Sequence, residues 1–184
     1  MDNSINGNYI ESVQKIFRQY KNLGDKAIEQ IEEDKIHWQL NEDSNSISIL
    51  VKHISGNMLS RWTDFFISDG EKEWRNRDEE FINDLENKKQ LLQVWEKGWH
   101  CLFSVIDNLA PSDLSKIVHI RNEPHTVIDA INRQIAHYSY HVGQLVHVAK
   151  QIKSSEWKSL SIPKGQSQAF NKQKFEEEQK KKSI

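Results

Sequence analysis

Apolar residues in this chain recur at intervals of three and four, and that spacing restricts the fold more than any other feature. From about Asn8 to Glu33, the residues Tyr9, Val13, Ile16, Phe17, Tyr20, Leu23, Ala27, Ile28 and Ile31 form a stripe on one helix face. DKIHWQLNEDSNS then breaks the period. A second helix is predicted from near Ser46, whose hydroxyl suits an N-cap. It carries Ile49, Leu50, His53, Ile54, Asn57, Met58, Arg61, Trp62 and Phe65 inward and ends before SDGEK. A third is expected over about Asp78 to Asn108, with Phe81, Leu85, Leu92, Trp95, Trp99, Leu102, Phe103 and Ile106 inward, stopping at Ala110-Pro111. The fourth starts around Pro124, a residue suited to a first helical turn, and reaches about Lys153. Its stripe is Val127, Ile128, Ile131, Ile135, Tyr138, Val142, Leu145 and Ala149. DLSKIVHIRNE, ahead of it, alternates weakly, as a short extended excursion or a single turn would. Only 7 Gly and 3 Pro punctuate the chain, so helices dominate.

Four long helices in one small domain are the arithmetic of an all-α four-helix bundle, here expected over residues 1–162. A chain of 184 residues with 36% hydrophobic residues closes one core and is short for two. Residues 163–184 differ: SQAFNKQKFEEEQKKKSI is polar and charge-blocked, and reads as a solvated C-terminal tail or a loosely attached helix.

Composition removes several classes of function. Lys and Arg total 25 against 27 Asp and Glu, so the bulk charge makes no case for nucleic acid or a membrane surface as partner. The first residues lack a basic lead and an apolar run, and no stretch approaches the roughly 20 apolar residues of a membrane span. A cytoplasmic protein is expected. Cys101 is the single cysteine, which excludes an intrachain disulfide and a Cys-rich metal site. Its setting, KGWHCLFSVI, is that of a core residue. Any metal must be held by nitrogen and oxygen.

Three histidines fall within AHYSYHVGQLVHVA. His137 and His141 are four apart and share a helix face, so both rings can reach one ion. His147 lies about 240° further round and drops out. With 8 histidines in 184 residues, roughly 0.3 such pairs arise by accident, so HxxxH alone is weak. His53, among apolar neighbours on the second helix, can complete a three-nitrogen set, or it can be a hydrogen-bonded core imidazole. Composition and spacing leave both readings open. If the set binds metal, each ring needs an outer partner for its other N–H, and Asn57, Gln134 and Gln144 are the local candidates. No glutamate stands inward beside a histidine as in HExxH, which argues against a protease.

The block EKEWRNRDEEF allows two readings. Asp78, Glu79 and Glu80 can complement the dipole at the start of the third helix, on a solvated face. Arg75 and Arg77 can instead meet an anionic substrate, and Tyr140 can offer a phenol. Arg61 and Asp64 read as a structural salt bridge.

Taken together, SISILVKHISGNMLSRWTDF, WRNRDEEF and INRQIAHYSYHVGQLVHVAK resemble the DinB/YfiT-like metalloenzyme superfamily, and within it a small bacterial branch of unassigned function. The specific pieces are the lone His of the second helix, the HxxxH followed by GQ, and the WRxRDxEF block. The resemblance covers nearly the whole chain, to SIPKGQSQAFN. It implies a four-helix bundle with a long crossover and a metal triad of His53, His137 and His141. It also implies a homodimer and a small-molecule substrate, with chemistry of the thiol-dependent S-transferase or hydrolase type and a low-molecular-weight thiol as co-reactant. A non-catalytic metal-binding or ligand-sensing bundle is the alternative. Three neutral imidazoles leave a divalent ion its full charge, which acidifies a coordinated water, polarises a carbonyl or stabilises a thiolate. Nitrogen ligands suit Zn or Ni first, with Fe or Mn also compatible.

Overall fold

The computed structural model describes residues 4–182, with side chains to residue 180. The chain is mostly helical, with five helices and one two-stranded sheet among the described residues. The helices are α1 (Ile5–Glu29), α2 (Ile47–Trp62), α3 (Lys88–Ile106), α4 (Val127–Lys153) and α5 (Ser167–Lys182). Strands β1 (Ile117–Ile120) and β2 (Glu123–Thr126) form an antiparallel hairpin ahead of α4.

The first four helices start where a side chain can take an orphan backbone N–H. Ser4 accepts from Gly7, Ser46 from Ile49, Asn87 from Gln90 and Thr126 from Asp129. α2 packs on α3 and on α4, and α1 packs on α4 and α3. The core between them is aromatic at its centre. Phe17 meets Trp62 edge-on at 6.3 Å, and Tyr138 lies 6.0 Å from Phe17 and 6.2 Å from Trp99. Tyr138 is fully buried with its polar end satisfied: its hydroxyl accepts from Trp62 Nε1 at 3.1 Å and donates to Asn57 Oδ1 at 3.0 Å. Burial accordingly pushes the phenol above its ordinary range.

Two close approaches set the helix spacing. A Cβ on Gly24 would lie 2.4 Å from Trp95 Cζ2, and one on Gly98 would lie 2.7 Å from Ser55 Cα. The second contact lets α2 and α3 meet almost backbone to backbone.

Four expectations need correction. The first helix begins at Ile5 and ends at Glu29, followed by a 3₁₀ turn at Glu33–Lys35. The third does not begin at Asp78. A 3₁₀ turn occupies Asp78–Phe81, and the helix starts only at Lys88. The carbonyls between are engaged elsewhere: Ile82 O accepts from Lys52 Nζ and Leu85 O bonds His37 Nε2, so they serve tertiary contacts and not a helical ladder. Phe81 and Leu92, expected inward, are 36% and 39% exposed. The fourth helix starts at Val127, because Thr126 caps it and Pro124 lies in β2 opposite His119. A two-stranded ribbon tolerates a proline, since its edges leave N–H groups unpaired. The extended reading of DLSKIVHIRNE is the one the hairpin realises, and it makes the chain less than all-α.

Of the polar C-terminal segment, Ser167–Lys182 is helical as α5 and its side chains to residue 180 are almost wholly exposed; residues 183–184 lie outside the described residues. Cys101 is partly buried against the core, with Sγ 3.5 Å from Thr63 Oγ1. No helix among the described residues is long and apolar enough to cross a membrane.

Candidate metal centre

The second turn of α2 and the middle of α4 bring His53, His137 and His141 together. One ligand atom from each lies within 4.8 Å of the others, the only such cluster of His, Cys, Asp or Glu found among the described residues. Ring centroids are 4.6 Å apart for His53 and His141, 4.6 Å for His137 and His141, and 5.4 Å for His53 and His137. His53 is buried and the two α4 rings are half-buried. His147, as its helical phase predicts, is exposed and outside the cluster.

The outer hydrogen bonds decide which nitrogens face inward. His53 Nδ1 donates to Glu80 Oε2 at 2.9 Å, and His141 Nδ1 donates to Gln144 Oε1 at 2.8 Å. With those N–H groups committed, Nε2 of His53 and of His141 carries the lone pair, and that of His141 accepts a hydrogen bond from His137 Nε2. The Nε2 atoms of His137 and His141 stand 3.1 Å apart. Two nitrogens each about 2.1 Å from one ion, at angles of about 90–109°, are separated by roughly 3.0–3.4 Å, so this pair fits a shared divalent cation.

Burial, then the neighbouring histidines and arginines, pushes His137 from 6.5 down to about 3. Burial, His53 and Arg77 likewise lower His141 to about 4, against the opposing hydrogen bond to Gln144. Both rings are therefore neutral at pH 7, the form that ligates metal. The unfolded chain takes up these protons below about pH 6.5 and the folded chain only at much lower pH, so acid favours unfolding. In chelator, Tm is expected to fall as pH drops from about 6.5 toward 4. Thermal melts across that range check this, and a flat profile would contradict it.

Glu80 is the site residue that sequence reasoning missed. Its sequence setting reads as a solvated helix start, but it is 7% exposed and points inward. Its carboxylate receives His53 Nδ1–H and a fork from Arg75, Nε to Oε1 at 2.8 Å and a terminal nitrogen to Oε2 at 3.0 Å. Burial by itself would push this carboxyl up, yet the bonds from His53 and Arg75 and the charge of Arg75 prevail and hold it below the usual carboxylate range. The one local clue was Gly56 on α2, three residues after His53. A Cβ there would lie 2.3 Å from Glu80 Oε1, so the glycine is the gap that the carboxylate fills.

The other predicted site residues divide. Gln144 partners His141, and its Nε2 donates to the Tyr140 hydroxyl at 3.1 Å. Asn57 does not bond a histidine, because its oxygen accepts from Tyr138. Gln134 is 3% exposed, but its Oε1 has no protein partner and His137 Nδ1 has none either. Arg75 is committed to Glu80 and Glu71. Arg77 lies over the Phe81 ring, 5.1 Å from its centroid. Arg61 pairs with Glu71 and Gly70 O, and not with Asp64 as expected.

The triad forms part of the wall of an open cleft of about 480 Å³, which Arg77, Gln134 and Tyr140 also line. Residues 4–166 match a family described as "Protein of unknown function (DUF1572)". The match ends just before α5. No curated protein and no solved structure matches the chain.

Proposed function

We propose that this chain, which belongs to the DUF1572 family of unknown function, is a metal-dependent enzyme acting on a small molecule, with His53, His137 and His141 as ligands. The observation that carries this reading is the convergence of three imidazoles on a cleft, two of them with their outer N–H groups already committed. A divalent ion held there, Zn or Ni first and Fe or Mn next, supplies Lewis acidity toward a carbonyl or a thiol.

The chain's own groups do the positioning. Glu80 fixes the His53 ring and Gln144 fixes His141. Tyr140 accepts from Gln144 Nε2, which leaves its own proton for a leaving group. The carboxylate nearest the triad, Glu80, is held behind His53 by Arg75 and is poorly placed as a base for water. That favours a nucleophile needing little help, such as a low-molecular-weight thiol with a pKa near about 8.5. Thiol-dependent S-transfer is therefore the first reaction type and hydrolysis the second.

The resemblance to the DinB/YfiT-like superfamily extends this proposal to the fold. α1 to α4 form a DinB-like four-helix bundle, with the irregular segment 63–87 and the hairpin 117–126 as its long connections, working as a homodimer in the cytoplasm. Helix packing of α2 on α3 and α1 on α4, with ligands from α2 and α4, supports it.

Metal analysis of protein purified without chelator tests the proposal. About one divalent ion per chain is expected, together with a rise in Tm when low-molecular-weight thiols are added to the loaded form only. Protein that is metal-free and indifferent to added Zn or Ni would end the metal reading. Loaded protein that turns over neither thiol nor ester substrates would instead be a metal-binding or ligand-sensing bundle.

A further inference from the structure

Five arginines, at positions 61, 75, 77, 121 and 133, line the same cleft as the histidines. Their carboxylate partners among the described residues are Glu71 and Glu80. Glu80 serves Arg75, and Glu71 is shared by Arg61, Arg75 and Arg121 at 3.1, 3.5 and 3.1 Å. Arg77 and Arg133 are exposed, and among the described residues no acidic partner is within ion-pair distance of either. The chain as a whole carries a formal charge of -2, so this excess of positive charge is local to the cleft. Charge of one sign lining a concave wall focuses potential on whatever binds there.

The hairpin turn holds Arg121 at φ 56° and Asn122 at φ 62°, a left-handed conformation that Arg rarely adopts. Asp69 maintains it: Oδ1 accepts from the Arg121 N–H at 2.8 Å and Oδ2 from the Asn122 N–H at 2.7 Å. Gly70 N in turn donates to His119 O at 2.8 Å, tying the segment after α2 to β1. The result presents the Arg121 side chain to the cleft, and strain of this kind collects where a side chain must be held in place for function.

We propose that the cleft takes an anionic small molecule, one bearing a carboxylate or phosphate group, with Arg77 and Arg133 as the guanidiniums that receive its oxyanion and Arg121 held beside them by the strained turn. This substrate class rests on the reading of the cleft as the substrate site, and guanidinium is the side chain that matches planar or tetrahedral oxyanions with paired N–H donors. A cleft of about 480 Å³ suits a metabolite-sized ligand, not a polymer.

The test is calorimetric titration of the full chain with inorganic phosphate, succinate and, as an uncharged control, glycerol, at low ionic strength. Each is run on chelated and on Zn-loaded protein, except that phosphate is used on the chelated form only. Saturable binding of phosphate or succinate is expected. It should weaken at least about tenfold in Arg77→Ala/Arg133→Ala, about 1.4 kcal/mol, and be unchanged in Arg18→Ala, an exposed arginine paired with Asp107 outside the cleft. A melt of each variant in chelator shows that folding is intact. Binding by chelated protein that never takes up metal would uphold the anion site while ending the metal reading. Three outcomes overturn the proposal: no anion binds, the double variant binds as wild type does, or a single-stranded oligonucleotide binds at these arginines and succinate fails to displace it.

Discussion

A His141→Ala protein is expected to keep its helical content while losing divalent-ion affinity by at least about a hundredfold. The reasoning is additive: structural zinc sites hold their ion with about 10–16 kcal/mol over four ligands, so one ligand accounts for roughly 3 kcal/mol, more than two decades in Kd. His141 is half-buried and its outer bond goes to Gln144, so truncation disturbs little of the core. His53→Ala should lose metal to the same extent but also stability, because the side chains of Glu80 and Arg75, 9% and 3% exposed, stay behind with one donor missing at Glu80 Oε2. A lost hydrogen bond to a charged group costs about 1.5–3 kcal/mol. Competition with a chromophoric chelator measures affinity, and melts in excess chelator measure the fold. Wild-type affinity in His141→Ala would remove this residue from the ligand set.

The second large effect belongs to Glu80. Glu80→Gln keeps the volume but removes the charge facing Arg75 and turns an amide N–H₂ toward a donor. Metal affinity should fall about 10–100-fold, as when other outer partners of ligating histidines are lost. Stability should fall by about 3 kcal/mol, at the low end for a broken buried pair because Arg75 retains Glu71 at 3.5 Å. For a chain of this length that is a Tm drop of roughly 6–12 °C. Gly56→Ala should reproduce the loss of affinity, since its Cβ must push aside an oxygen 2.3 Å away. Unchanged affinity in both variants would mean that His53 needs no orientation by this carboxylate.

Helices were legible where their causes are local. The stripe of α1 and the phase of His137, His141 and His147 follow from 3.6-residue periodicity, the Ser46 cap of α2 from a hydroxyl beside an orphan N–H, and the structure has them. Periodicity carries the third helix ten residues too far because Phe81 and Leu85 fall at helical spacing, whereas the segment's carbonyls are claimed by Lys52 and His37, residues far away in sequence. The Arg61–Asp64 pairing failed for a similar reason. Asp64 sits at φ 49° in the turn that ends α2, and Glu71 returns to Arg61 from beyond that turn.

Local order along the chain therefore determined that this protein is helical, that two histidines of α4 share one face and that His147 does not. It also placed His53 on an inward stripe. Only the tertiary structure decided that His53 meets that pair, that Glu80 stands behind it, and that arginines from the 63–87 segment, the hairpin and α4 converge on one cleft. The division has a physical cause. Helical periodicity is imposed by hydrogen bonds four residues apart, whereas the path of segment 63–87 is set by side-chain bonds to residues up to about fifty positions away, which no local pattern encodes.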